Sequence, residues 1–443
     1  MNTVQRIAKN TGVIIAGDFV NKVIGLVVVI FLARYLGAAG YGKYAFVFAF
    51  LMFFGIITDL GINTILVREI SRDKSLASKY IGNAGVMKLI LSLSAVVLAM
   101  IVITLLPYPA DTMTYVYIMS LTLLFNSFSM LYSTIFQVNL KMGYNVIANL
   151  VNRILSAGLI FWIIFSEGTL LQIIIVSVFS QFVAMLVNYF YSRKFVRPRY
   201  EVDFGVWKLF IKESWPLALT SVFVIIYYRI DQVMLSMMIG DAAVGYYSAA
   251  VNLAEPLGII PGAFMISMFP LMSEYFKTSQ DSLKKSYELS FKYILILALP
   301  IAIVITLLSS RIITLIYRNE FLPSVSALAI LIWAEVFMFL NIVMASVLTS
   351  INRQKIHILN ATLMGVSNIT LNFILIPKYS FIGAGVATVI TEVLGTLVGL
   401  YWTNKYLYTS EPCKRAIILR IFKLSREDIV LLKSILRGLS RNE

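Results

Sequence analysis

Apolar residues run along this chain in stretches of about twenty, the length an α-helix needs to cross the hydrocarbon of a bilayer. Twelve such stretches are separated by short polar breaks: 13–34, 41–63, 80–106, 114–138, 145–166, 168–192, 214–238, 243–268, 287–309, 324–350, 356–377 and 381–403. They are too long for barrel strands and lack in/out alternation. The pattern therefore predicts an all-α membrane protein of about twelve spans. The first stretch follows Arg6 and Lys9 and has no small-residue cleavage site, so it reads as a span that stays attached. The largest internal break, 193–213, divides the chain into two sets of six helices. The expected organisation is a six-helix lobe at 1–192, a linker at 193–213, a second lobe at 214–403 and a tail at 404–443.

Composition agrees with the pattern. Of 443 residues, 59% are hydrophobic and 13% charged, against roughly 25% charged in soluble domains; the mean hydropathy is +0.86. Placing the N-terminus in the cytoplasm puts 27 of the 37 Lys and Arg residues on that side. Five fall on the other side (Arg34, Lys43, Arg311, Arg318, Lys378) and five within helices. Positive residues concentrate on the cytoplasmic side of membrane proteins, so both termini and the 193–213 break are expected there. This distribution accounts for much of the +15 net charge through contact with anionic lipid, without nucleic acid. The tail segment 413–439 mixes Ile and Leu with Lys and Arg at helical spacing, the pattern of a helix lying on the cytoplasmic leaflet. The shorter 204–215 has the same character.

The two sets of helices resemble each other. LGAAGYGKY at 36–44 aligns with IGDAAVGYY at 239–247, pairing Gly37, Gly42 and Tyr44 with Gly240, Gly245 and Tyr247. MKLIL at 87–91 aligns with FKYIL at 291–295, and SRKF at 192–195 with TNKY at 403–406. Six helices return the chain to its starting side, so the repeats are parallel and related by an axis along the membrane normal.

Ionisable side chains inside spans cost at least ~2.5–3.5 kcal/mol and favour bundle interiors or wet cavities. The intramembrane cations are Lys22, Lys88, Arg153, Arg229 and Lys292, all on odd-numbered spans and concentrated toward the cytoplasmic half. Such a basic vestibule suits a phosphate or diphosphate head group, and these five are the candidate substrate-binding residues. The acids Asp18, Asp231, Glu255, Glu335 and Glu392 are candidates for proton or sodium coupling. Structural roles compete: Lys88 and Lys292 can snorkel to the interface, Asp18 can neutralise Lys22 four residues on, and Asp59 reads as interfacial. With one cysteine, Cys413, and one histidine, His357, neither a disulfide framework nor a metal site is expected, nor is a cofactor. Nucleotide-binding and hydrolase motifs are absent, so an enzyme is not expected.

Residues 34–72 carry Arg34, Leu36-Gly37, Tyr41-Gly42, Tyr44, Asp59-Leu60-Gly61 and Arg68-Glu69. In these elements the chain resembles the polysaccharide flippases of the multidrug/oligosaccharidyl-lipid/polysaccharide superfamily. The resemblance implies two six-helix bundles around a central cavity. It implies movement of a polyprenyl- or dolichyl-linked oligosaccharide to the outer leaflet of the cell membrane by alternating access. Membrane lipid is then a partner, and glycosyltransferases and a polymerase of the same pathway are candidate partners. The alternative within the superfamily is a multidrug and toxin extrusion antiporter, which the buried cations disfavour. A glycosyltransferase would need larger external loops than this chain has.

Overall fold

A computed structural model describes the backbone of residues 3–408 and the side chains of residues 17 and 19–408. The basic tail segment 413–439 and the side chain of Asp18 lie outside the described residues. The helices are α1 (Thr3–Asp59), α2 (Ile62–Arg72), α3 (Ala77–Leu105), α4 (Ala110–Val138), α5 (Gly143–Phe165), α6 (Leu170–Ser192) and α7 (Phe204–Met238). They continue with α8 (Asp241–Ala254), α9 (Ile259–Thr278), α10 (Gln280–Tyr317), α11 (Ser324–Ser350) and α12 (Gln354–Leu407). Among the described residues, ten helical segments are long and apolar enough to cross a membrane.

The difference from twelve separate stretches has a local cause. α1 runs for 57 residues, about 85 Å at 1.5 Å per residue, nearly three times the roughly 30 Å of hydrocarbon. It joins the expected stretches 13–34 and 41–63. At Gly37 the backbone leaves the helical region (φ 69°, ψ 178°) and turns, so one residue does the work of a loop. Only glycine takes such a φ without penalty. α12 joins 356–377 and 381–403 in the same way. There Pro377 withdraws a backbone donor and Ser380 adopts φ 53°, ψ −138°. Conversely, the stretch 243–268 is interrupted by a 3₁₀ turn at Glu255–Gly258, which contains Pro256.

The chain forms two compact units, Met1–Ser248 with Ile316–Glu320, and Ala249–Leu315 with Phe321–Glu443. The division falls within α8, beyond the break at 193–213. The amphipathic 204–215 is the first part of α7, continuous through Pro216. α7 packs against α1, α2 and α3 within the first unit. The connection before it lies along α3. The Arg199 amide donates to Ser78 O (3.0 Å), the Asp203 amide to Asn83 Oδ1 (2.7 Å), and Lys79 Nζ pairs with Asp203 at 2.6 Å. Gly82 of α3 lets the Arg199 backbone sit directly on the helix.

Within the first unit, Ile62, Leu66, Ile81, Leu131 and Phe210 form one core, tying α2, α3, α4 and α7 together. Val28, Leu32, Ile160 and Ile173 form another between α1, α5 and α6. The repeat-matched glycines meet here. The Cα of Gly42 lies against the Asp241 carbonyl, and that of Gly245 against the Ala38 carbonyl, so neither position has room for a Cβ. Gly240, the sequence equivalent of Gly37, also has positive φ (119°). The Ala38 amide, freed by the turn at Gly37, donates to Glu320 Oε1 at 2.8 Å, a carboxylate at a helix start as the dipole favours. Arg34 Nε donates to Ile316 O at 2.6 Å. In the second unit, Met272, Tyr287, Ile332, Val343 and Val347 centre a core of α9, α10 and α11, and α11 packs along α12.

Candidate functional site

A cavity of 710 Å³ lies inside the first unit, between α1, α4, α5, α6 and α7, a size within the roughly 300–1,000 Å³ of ligand sites. Its lining mixes polar and apolar side chains. Helical spacing brings Asn149, Asn152 and Ser156 onto one stripe of α5, and Ser177, Ser180 and Gln181 onto one stripe of α6, all lining the cavity. Phe48, Leu51 and Met52 of α1 and Met119, Leu123 and Met130 of α4 add apolar surface to the same lining, to which α4 also contributes Thr122 and Asn126. Asn152 Nδ2 donates to Gln181 Oε1 at 2.8 Å. Asn21 also lines the cavity, and its Oδ1 is buried with no hydrogen-bond partner among the described residues.

Arg153 is the cation in this lining. Its guanidinium lies along α1 at Gly25, where a Cβ would come within 3.1 Å of Cζ. Its charge acts on Tyr44, another lining residue. Among the described residues no carboxylate forms an ion pair with it.

Lys88, an expected substrate ligand or snorkelling residue, has a fully buried side chain. Its Nζ lies 2.6 Å from Asp59 Oδ1 and 3.4 Å from Thr58 O. Asp59 lines the cavity, its side chain 21% exposed, so its carboxylate stands between Lys88 and that space. Lys22 is exposed on α1. Arg229 sits one turn beyond the lining residue Ile225 on α7 and is half-buried. Lys292 belongs to the second unit.

The acids also divide. Asp231 is buried in the first unit and accepts a hydrogen bond from Tyr247 Oη at 2.5 Å. In the second unit, Glu392 is buried and its Oε2 accepts from Asn341 Nδ2 at 2.6 Å, while Thr396 Oγ1 donates to Asn341 Oδ1 at 3.2 Å. Glu335 Oε2 is buried without a hydrogen-bond partner among the described residues. Glu255 lies in the 3₁₀ turn, close enough for its charge to act on Glu335. Among the described residues no group of three or more His, Cys, Asp or Glu side chains could hold a metal ion.

Charge alone does not reveal the amides Asn21, Asn126, Asn149, Asn152 and Gln181. The available signal was their position in apolar spans, where each amide needs a partner or a wet surface.

The family described as "Polysaccharide biosynthesis protein" matches residues 7–276. The chain belongs to this family. A second family, MatE, matches residues 216–374, in keeping with the multidrug/oligosaccharidyl-lipid/polysaccharide superfamily. A protein of Shigella flexneri named "Putative O-antigen transporter" is 24% identical over 395 residues, covering 86% of this chain and 92% of its own length. A "Probable low-salt glycan biosynthesis flippase" of Haloferax volcanii is 21% identical, covering 85% of this chain and 79% of its own length. Among solved structures, lipid II flippase MurJ in an inward closed conformation superimposes with a TM-score of 0.75 at 18% identity, over 96% of this chain and 92% of that one. An inward-facing multidrug resistance MATE family transporter gives 0.73 at 16% identity, over 88% and 95%. The chain is thus a multi-pass membrane transporter of a flippase family, not an enzyme.

Proposed function

We propose that this protein flips a polyprenyl- or dolichyl-linked oligosaccharide from the cytoplasmic to the outer leaflet of the cell membrane. The observation that carries the reading is Arg153, an intramembrane guanidinium without a carboxylate partner among the described residues, set in an amide-lined cavity of a chain from the polysaccharide biosynthesis family. A guanidinium presents a planar fork of donors that matches phosphate oxygens. An uncompensated cation within a membrane protein favours an anionic head group over the organic cations that an extrusion antiporter exports.

In this reading the breaks at Gly37 and Ser380 divide α1 and α12 into two crossings each, twelve crossings bring both termini to one side, and the Lys and Arg distribution makes that side the cytoplasm. Two parallel six-helix repeats, 1–192 and 214–403, then alternate access around the substrate. Lys22, Arg229 and Lys292 extend the cationic path, while Lys88 acts through Asp59. Glu335 and Glu392, with Asp18, Asp231 and Glu255, link transport to an ion gradient. Glycosyltransferases and a polymerase of the same pathway supply and use the cargo.

The test is transport of a fluorescent lipid-linked oligosaccharide in vesicles containing equal amounts of protein. Arg153→Ala and Arg229→Ala should lose transport, with Lys at either position rescuing in part. Glu335→Gln and Glu392→Gln should keep substrate binding but lose dependence on the imposed gradient. Equal rates for wild type and both alanine variants would remove the cations from the path.

A further inference from the structure

The lining of the first unit's cavity is richer in amides and hydroxyls than capture of a phosphate requires. A diphosphate is an acceptor only, and cations or backbone amides satisfy it. Asn149, Gln181 and Asn126 each offer both donors and an acceptor, as sugar hydroxyls also do. The stripes on α5 and α6 supply Asn149 and Gln181, α4 supplies Asn126, and methionine, leucine and phenylalanine of α1 and α4 line the same cavity. A pyranose ring combines the same two chemistries, with hydroxyls at its edge and C–H groups on its faces. Asn21 Oδ1 is buried and lacks a partner among the described residues, so one acceptor in this lining is unused by the protein. Gln181 spends its Oε1 on Asn152, which fixes the amide and directs its two N–H donors elsewhere.

We infer that this cavity reads the sugar of the lipid-linked substrate, with Asn149 and Gln181 as specificity-determining residues and Arg153 at its phosphate end. The inference rests on the flippase reading above and adds a division of labour within it. Arg153 sets affinity for any polyprenyl diphosphate, whereas the amides set the preference for a glycosylated one. A site built to hydrogen-bond hydroxyl groups rejects an analogue lacking them, because its polar groups are then left unpaired.

Native mass spectrometry of the full-length protein in detergent can separate these roles with two probes, undecaprenyl diphosphate and undecaprenyl diphosphate bearing one N-acetylglucosamine. Wild type should prefer the glycosylated probe by roughly tenfold or more, the equivalent of one good hydrogen bond. Asn149→Leu and Gln181→Leu should lose that preference selectively, and Arg153→Gln should weaken both probes alike. Gln181→Glu, nearly isosteric but without the two donors, repeats the test should leucine disturb the α5–α6 contact. Its retention of the full preference would overturn the inference, and so would equal weakening of both probes by the amide variants. If wild type binds both probes equally, the sugar-reading role falls and the flippase reading stands. If it binds neither, both fall.

Discussion

The Lys88–Asp59 pair should be asymmetric in its response to substitution. Lys88 is fully buried and, among the described residues, has only Thr58 O, at 3.4 Å, besides the Asp59 carboxylate. Asp59→Asn removes the countercharge and strands an ammonium inside the bundle, a change that costs about 3–5 kcal/mol for buried pairs. Lys88→Met is milder. Asp59 is partly exposed, faces the cavity and keeps the Asn63 amide at 3.3 Å, so its stranded charge can be hydrated and the cost should be nearer ~1–3 kcal/mol. The double variant removes both charges and should recover most of the Asp59→Asn loss, since a buried pair replaced by neutral groups is often close to neutral overall. Thermal unfolding in detergent, followed by tryptophan fluorescence at constant pH, should rank wild type, double variant, Lys88→Met and Asp59→Asn in falling order. If Lys88→Met is less stable than Asp59→Asn, or the double variant is no better than Asp59→Asn, the reasoning from burial is refuted.

Three further outcomes are expected. Gly42→Leu should force α1 away from the Asp241 carbonyl and lower stability by more than ~2 kcal/mol, an overpacking cost, while Gly143→Ala, which meets no atoms within 4 Å, should leave the melting temperature unchanged. Lys43 pairs with Asp111 and lies 4.0 Å from Asp241. Because the group is partly exposed, Lys43→Met should cost only about 1 kcal/mol, and Lys43→Glu should cost more, with recovery by Asp111→Lys in the same melts. Hydrogen bonding from Lys79, aided by the Val206 and Gly205 amides, holds the Asp203 carboxyl below its usual range. Its contribution is present above the ordinary aspartate value of about 3.9 and is lost as pH falls through the lowered folded-state value. Hydrogen exchange at Gly205 and Val206, corrected for intrinsic rates, should therefore rise on acidification in wild type and be fast at every pH in Asp203→Ala.

Hydropathy made the spans legible, since the lipid requirement acts on whole segments. The joints were less so. A drop in hydropathy at 35–40 looks the same whether several residues loop out or Gly37 alone turns. Lys88 stood out as a charge, but its partner is 29 positions earlier in the chain, a pairing no helical spacing can indicate. The cavity was harder still. Amides barely depress hydropathy, so Asn149, Asn152 and Gln181 vanish into apolar stretches until helix packing places them on facing stripes. Gly42 and Gly245 could be aligned in the sequence, but the close approach of α1 and α8 at them depends on how the two helices cross.

That crossing constrains what either glycine can become. At a helix contact a bulkier residue can ordinarily be tolerated if the side chain it meets shrinks. Here the obstacle is main chain, the Asp241 carbonyl for Gly42 and the Ala38 carbonyl for Gly245. A carbonyl is the same whatever residue carries it, so no substitution at Asp241 or Ala38 can make room for a Cβ. The two positions are therefore closed to variation by atoms that mutation cannot remove.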